Sequence, residues 1–158
     1  MYNMKFSRRH IVRLLGVLSL PLISGAASAL CAAPAELGRW RNVAPGGQPA
    51  VVDLRMTDCG DQVLNGQQTQ TSYSMRVWVR QAGGGYYGRP QVKARLQTWK
   101  GGRWFVGRVP TGGYVDNVWA RVEQKDEARM LHVLIRHESL DSKPSASSEH
   151  WFRFEKRI

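Results

Sequence analysis

Short runs of alternating apolar and polar residues fill the chain after Gly38 and constrain its fold most. From residue 73 onward, for example, Tyr73, Met75 and Val77 alternate with Ser74 and Arg76. Alternation of this kind is typical of a β-strand with one buried face, because successive side chains of a strand point to opposite sides. No part of this region keeps the 3.6-residue period of an amphipathic helix. The sequence therefore predicts an all-β domain.

Turn-forming residues divide this pattern into eight predicted strands. Gly, Pro, Asn, Asp and Ser cluster between the runs. We expect strands A to H, in order, at residues 38–43, 50–58, 73–81, 91–100, 103–109, 114–124, 129–138 and 149–157. Gly101-Gly102 indicates a tight hairpin between D and E. Eight sequential strands with short links predict an antiparallel up-and-down meander, and closing it into a barrel would remove its exposed edges.

Residues 1–29 have the three zones of a cleavable signal peptide. A basic start without acids is followed by an apolar run from Leu14 to Ile23 and by the small residues Ala27-Ser28-Ala29. The apolar run is shorter than the roughly 20 residues that a membrane span needs, so we expect no transmembrane segment after cleavage. Cleavage is expected after Ala29, with Ala33 as a second choice. The prediction is a signal peptide at 1–29, a tether at 30–37 and a barrel at 38–158, located in the periplasm or secreted.

The basic zone also carries a more specific pattern. Ser7-Arg8-Arg9-His10-Ile11-Val12-Arg13 resembles the twin-arginine export motif, in which an arginine pair precedes two apolar residues. That resemblance implies export of a folded protein. General secretion stays open as the alternative route.

The charge and the cysteines bear on partners and compartment. Cleavage after Ala29 removes four of the 23 basic residues and none of the 12 acidic ones, leaving a net charge of about +7. A positive surface favours anionic envelope components as partners. Cys31 and Cys59 would lie in an oxidising compartment, which predicts one disulfide joining the tether to the barrel. No motif predicts a metal site or a cofactor.

Gly38-Arg39-Trp40-Arg41-Asn42 resembles the G-x-W opening of the first strand in calycins, the superfamily of lipocalins, avidins and small bacterial metalloprotease inhibitors. The resemblance implies that Trp40 packs inside the closed end of a barrel. It also implies that a basic residue of the last strand, Arg153 or Arg157, crosses over that ring. Asn42 matches the avidin asparagine that binds biotin, but the serine and tyrosine set that follows in avidins has no match here. Biotin binding is therefore not expected.

Loop lengths predict which end of the barrel binds a ligand. In a meander, alternate loops share an end, and one end would carry the four loops at 44–48, 82–90, 110–113 and 139–148. Ligands enter small barrels at such a mouth, and tyrosines beside glycines suit adaptable recognition loops. The predicted ligand-binding residues at the mouth are Asn42, Tyr86, Tyr87, Arg89 and Tyr114.

Outward positions of the predicted strands are rich in arginine and tryptophan. The predicted surface-binding residues are Arg76, Trp78, Arg80, Arg95 and Trp99, and Trp119, Arg121, Trp151 and Arg153 extend the set. Aromatic faces stack and guanidinium groups grip phosphates, so this surface suits an anionic polymer or a sugar. The alternatives are an outer surface that stabilises itself and an oligomer contact.

Histidines and acids flank the loop between strands G and H. His137-Glu138 and Glu149-His150 would meet only if both pairs faced one side, and adjacent residues of a strand point to opposite faces. We therefore interpret them as surface residues. The serines of the loop lie in no nucleophile motif, and we expect no enzyme.

These patterns predict an exported, non-catalytic binding protein. The first hypothesis is a small apolar ligand or a protein segment bound at the mouth. The alternative is an envelope interaction protein that binds anionic polymers or lipids through the Arg/Trp surface. A protease inhibitor, by the calycin resemblance, is the third.

Overall fold

The computed structural model describes residues 32–139 and 146–158. Within these two ranges the secondary structure is entirely β, as the alternation predicts. The strands, β1 to β11 in chain order, are Gly38–Asn42, Val51–Asp58, Val63–Leu64, Gln67–Gln68, Ser72–Arg80, Tyr86–Gly88, Val92–Trp99, Gly102–Thr111, Tyr114–Lys125, Ala128–Ser139 and Ser147–Lys156. The predicted signal peptide at 1–29 and residues 140–145 of the predicted connection at 139–148 lie outside the described residues.

Eight of the strands form a closed ring. The hydrogen-bonded order is β2-β1-β11-β10-β9-β8-β7-β5, and β5 pairs with β2 to complete it. Each pairing is antiparallel. The predicted strands A to H coincide with these eight, which confirms the all-β antiparallel prediction. The short strands β3 and β4 form a separate hairpin inside the predicted 59–72 connection.

The alternation places the core inside the ring. Val52, Leu54 and Met75 are fully buried, as the predicted faces of strands B and C require. The inward side chains of the other ring strands join them in one apolar cluster that includes Phe105, Val118, Leu131, Val133 and Phe152. Core side chains from the ring strands therefore occupy the interior of the ring.

The hairpin between β7 and β8 uses left-handed turn residues. Lys100 and Gly101 both have positive φ, of 45° and 71°, which is the geometry of a two-residue type I′ turn. The turn predicted at Gly101-Gly102 therefore lies one residue earlier. Gly102 begins β8, and a Cβ there would lie 1.9 Å from an Arg121 guanidinium nitrogen.

Trp40 anchors the end of the ring opposite the predicted mouth, where only residues 112–113 join β8 to β9 in place of the predicted loop at 110–113. Trp40 is buried, and its indole N–H donates a 2.7 Å hydrogen bond to the carbonyl of Glu36. Phe154 packs edge-on against it at 5.2 Å between ring centroids. Of the two arginines considered for this end, Arg157 lies there: its guanidinium is 5.9 Å from the Phe154 ring and donates to the Leu37 carbonyl. The C-terminal part of the predicted tether thus packs onto the ring.

Candidate functional site

The predicted mouth residues do not converge on one pocket. The side-chain amide of Asn42 donates to the Pro49 carbonyl at 2.8 Å and accepts the Ala44 N–H at 2.9 Å. Both hydrogen bonds hold the connection between β1 and β2. Tyr86 lies opposite Arg80 on the outer side of the sheet, and its hydroxyl accepts a hydrogen bond from Arg41 at 2.8 Å.

The loop predicted at 82–90 is shorter in the structure. Residues 86–88 form β6, which pairs with the end of β5, so that only residues 81–85 turn. Gly88 lies opposite Trp78, and a Cβ at Gly88 would lie 2.9 Å from the indole ring. Glycine at this position lets the Trp78 ring lie flat over the strand. Tyr87 is largely exposed, and the backbone N–H of Arg89 donates to the Val77 carbonyl.

A polar cluster lies on the inner side of the mouth around Tyr114. The Oδ1 of Asp116 is 2.5 Å from the Nδ1 of His137, and the Oδ2 accepts a 3.1 Å hydrogen bond from the Thr111 hydroxyl. Tyr114 packs edge-on against the His137 ring at 5.5 Å. Asp116 faces inward because it lies opposite Val109, a fully buried core residue. Of the mouth residues predicted from sequence, Tyr114 alone belongs to this cluster.

The histidine and acid pairs beside the last loop separate, as the alternation predicts. His137 and His150 face the inner side, whereas Glu138 and Glu149 face out, since His150 lies opposite the buried Val133. His150 hydrogen-bonds the Ser148 hydroxyl at 2.9 Å. Burial, the largest influence, lowers the pKa of His150 below its usual value, although the Glu149 charge raises it.

Outward side chains of β1, β2, β5, β6 and β11 form the first aromatic and cationic surface. We call it the arginine face and define it by Arg39, Arg41, Asp53, Arg76, Trp78, Arg80, Tyr86, Arg153 and Glu155. Arg76 and Arg39 lie 5.6 Å and 5.4 Å from the Trp78 ring. Arg41 and Arg80 lie against the Tyr86 ring at 5.6 Å and 5.9 Å. The predicted surface residues Arg76, Trp78 and Arg80 are therefore together on one face.

Asp53 is the electrostatic centre of the arginine face. Its side chain is 3% exposed and accepts two 2.8 Å hydrogen bonds from Arg39. The hydrogen bonds to Asp53, the strongest influence, raise the pKa of Arg39 above its usual value. Arg41 pairs with Glu155 at 2.9 Å near the surface, and this contact raises the pKa of Arg41.

Outward side chains of β7 to β11 form a second surface, rich in tryptophan. We call it the tryptophan face and define it by Trp99, Trp104, Trp119, Arg121, Glu123, His132, Glu149 and Trp151. Trp99 contacts Trp104 edge-on at 5.6 Å and lies 6.0 Å from Trp119, with ring planes 32° apart. His132 stacks on Trp151 at 4.2 Å with planes 7° apart. Four of the six tryptophans of the chain thus lie outside the ring on one side.

Trp104 belongs to the tryptophan face but is not among the surface residues predicted from the sequence. It points outward but is only 2% exposed. The guanidinium of Arg121 covers it at 4.3 Å from the ring centroid, and its indole N–H donates to the Trp99 carbonyl at 3.0 Å. A charged network surrounds it, because Glu123 contacts both Arg121 and His132. Burial acts most strongly and raises the pKa of Glu123, but the hydrogen bonds from His132 and Arg121 outweigh it and lower the pKa overall.

Two predicted residues stand apart from these groups. Arg95 is exposed on β7, opposite Val106 of β8. Cys59 lies just beyond β2, and no free cysteine occurs in the described part of the chain. Cys31 lies outside that part, so the disulfide between Cys31 and Cys59 stays a prediction.

Comparisons with known proteins add no relative. No protein-family model, no curated protein and no solved structure matches the chain. Within residues 32–139 and 146–158, no helix has the length and apolar character to cross a membrane. The same residues hold no group of three or more His, Cys, Asp or Glu side chains arranged for a metal ion.

Proposed function

We propose that the chain is an exported, non-catalytic binding protein whose arginine face binds phosphate groups displayed on the cell envelope. In this proposal the mature domain is an eight-stranded meander barrel, supported by the closed ring of sequentially paired strands. Export to the periplasm is supported by the three zones of residues 1–29. The phosphate groups belong to anionic lipid headgroups or to an acidic glycolipid, and the test below distinguishes these sources.

The proposal rests on the excess of guanidinium groups over carboxylates on the arginine face. Its definition includes five arginines and two carboxylates, and one of those carboxylates, Asp53, is buried beneath Arg39. Arg41 and Arg153 are direct neighbours across the β1–β11 pairing. They line a shallow recess of about 310 Å³ together with Glu155. Neighbouring planar guanidinium groups suit bidentate binding of phosphate oxygens.

The aromatic rings of the arginine face contact four of its five arginines. Trp78 lies beneath Arg39 and Arg76, and Tyr86 contacts Arg41 and Arg80. Cation–π contacts at exposed sites contribute about 0.5–1 kcal/mol each. Arginines that are already oriented lose less side-chain entropy when they bind an anion.

The filled interior favours this surface over the mouth as the main site. An apolar ligand inside the ring would have to displace packed side chains such as Phe105, Val133 and Phe152, each at most 1% exposed. At the mouth, the side-chain amide of Asn42 is already used in two hydrogen bonds that hold the connection between β1 and β2.

A flotation assay with lipid vesicles tests the proposal. The purified protein is expected to float with vesicles containing phosphatidylglycerol and to stay behind with pure phosphatidylcholine. A parallel arm uses soluble lipopolysaccharide as competitor, and displacement by it at lower phosphate concentration would assign the acidic glycolipid as the source. The double variant Arg41→Gln/Arg153→Gln should lose most of the binding.

The matched control removes the same charge elsewhere. Arg108 and Arg129 are exposed on β8 and β10, outside the arginine face. The variant Arg108→Gln/Arg129→Gln should keep near wild-type binding. Equal loss in the two double variants would mean that net charge alone drives binding, and the proposed site would be rejected.

Binding at the mouth is a second candidate, favoured by the polar cluster. His137 is partly exposed above the nearly buried Asp116, and Tyr114 borders both. Native mass spectrometry of the protein from its own periplasm would reveal a bound small molecule as extra mass. That mass should disappear in a Tyr114→Ala/His137→Ala variant; if the variant carries the same mass, the molecule is bound elsewhere.

A further inference from the structure

A groove lies beside the tryptophan face. Trp99 and Trp119 form its aromatic wall, and Leu134 continues the wall on β10. The groove has a volume of about 550 Å³, within the range of ligand sites. It lies on β7 to β11, whereas the arginine face lies on β1, β2, β5, β6 and β11.

The wall is rigidly supported from below. The carbonyl of Trp99 accepts the indole N–H of Trp104, whose ring also packs edge-on against Trp99. Arg121 covers the far side of this support at 4.3 Å from the Trp104 centroid. Trp99 nevertheless stays 38% exposed. Two outward indole rings therefore lie side by side at the surface, and Trp99 packs on a buried tryptophan.

The rim of the groove is polar and of mixed charge. It is lined by Lys100, Arg136, Ser147 and Glu149. The Nζ of Lys100 lies 4.5 Å from the centroid of the Trp99 ring. The Glu149 side chain is 56% exposed; its Oε1 lies 2.9 Å from Nε2 of His132, and its Oε2 takes no part in that contact. The rim thus offers both donors and acceptors beside an apolar wall.

We propose that this groove binds a hexopyranose unit of a glycan, stacked on Trp99 and Trp119. A pyranose ring has an apolar face of C–H groups and a rim of hydroxyls that both donate and accept hydrogen bonds. The electron-rich face of an indole attracts the weakly positive C–H groups. Lys100 and Arg136 can donate to sugar hydroxyls and Glu149 can accept from them, so the rim matches the mixed hydrogen bonding of a sugar. This site is independent of the proposed phosphate binding.

Indole N–H signals in a nuclear magnetic resonance spectrum test the site residue by residue. The six tryptophans give six signals, and titration with N-acetylchitotetraose should shift those of Trp99 and Trp119. Trp40 and Trp78 are internal controls, since their N–H groups are hydrogen-bonded to Glu36 and Asp53 away from the groove. Absence of any shift, or equal shifts at Trp40 and Trp78, would overturn the proposal.

Variants measure the contribution of the wall. Trp119→Ala should weaken binding of the tetrasaccharide by about tenfold or more, the effect of removing one stacking aromatic ring. Trp119→Phe keeps a ring and should weaken it less, so a folded variant is available for the test. The control Trp78→Phe changes an outward tryptophan of the arginine face, away from the groove, and it should bind the tetrasaccharide as wild type does. Equal weakening by Trp119→Phe and Trp78→Phe would contradict the assignment.

A competing ligand separates sugar from nucleobase stacking. If octathymidylate shifts the same signals at lower concentration than the tetrasaccharide, the groove binds bases and the sugar proposal fails. Phosphatidylglycerol vesicle binding should be unchanged in Trp119→Ala. The indole signals therefore test sugar binding in the groove, and vesicle flotation separately tests phosphate binding by the arginine face.

Discussion

The indole N–H of Trp78 donates a 2.9 Å hydrogen bond to Oδ2 of Asp53, an oxygen that also accepts from Arg39. One buried carboxylate therefore fixes a ring and a guanidinium at the same time. Because Trp78 in turn lies beneath Arg76, the arrangement of the arginine face depends on Asp53.

Asp53→Asn should destabilise the protein by about 2 kcal/mol. The substitution removes the charge that offsets Arg39 and leaves a half-buried guanidinium with one neutral acceptor. Urea unfolding gives the free energy of unfolding. Glu155→Gln removes the partner of Arg41 at an exposed site and should cost less than about 1 kcal/mol. Similar losses in both variants would mean that Asp53 has no special role.

Gly88→Ala should displace the Trp78 ring and destabilise the protein by about 1–3 kcal/mol, the range for an extra methyl in a packed site. The new Cβ would lie 2.9 Å from the ring. Gly83→Ala is the matched control, since a Cβ there meets no atom within 4 Å. A thermal unfolding comparison of the two variants checks the prediction, which a Gly88→Ala protein as stable as Gly83→Ala would refute.

His150 should make stability fall with decreasing pH. Burial lowers its pKa, with Glu149 opposing and His137 reinforcing the shift. A proton then binds more readily to the unfolded chain, so stability is full above the ordinary value of 6.5 and declines as pH drops through it toward the folded pKa. His150→Gln should show a flatter free energy of unfolding between about pH 7 and pH 5. An unchanged slope would exclude this role.

The predicted export and disulfide can be read from one intact mass. Protein recovered from the periplasm should begin at Leu30, after the predicted Ala29 cleavage. Its denatured mass should rise by two hydrogens on reduction if Cys31 and Cys59 are bridged. A mass that corresponds to cleavage after Ala33, or a mass that does not change on reduction, would show that Cys31 and Cys59 are not bridged.

Alternation with a period of two predicted all eight ring strands, because a strand with one buried face has an apolar residue at every second position. At β8 the alternation locates the strand but does not separate its two faces, because Trp104, Phe105 and Val106 are all apolar. The reason is that Trp104 is covered by side chains outside the ring, from Trp99 and Arg121. A pattern within one strand does not reveal such an outer layer of side chains.

The polar cluster at the mouth was missed for a different reason. Asp116 and His137 are 21 residues apart, and they meet only because β9 and β10 pair in one register. A register shift of one residue would point the two side chains to opposite faces. The strands can be predicted from the sequence, but their register cannot. The surface formed by Arg76, Trp78 and Arg80 could be predicted because these three residues alternate within one strand.

The salt dependence of vesicle binding tests the central claim most directly. Exposed charge contacts are screened over about 10 Å at 0.1 M salt, so binding of the wild-type protein to phosphatidylglycerol vesicles should weaken steeply as salt rises. Arg41→Gln/Arg153→Gln should bind weakly at every salt concentration and lose most of that dependence. Binding that stays constant from low to high salt, or a double variant with the wild-type salt dependence, would contradict the arginine face as the binding site.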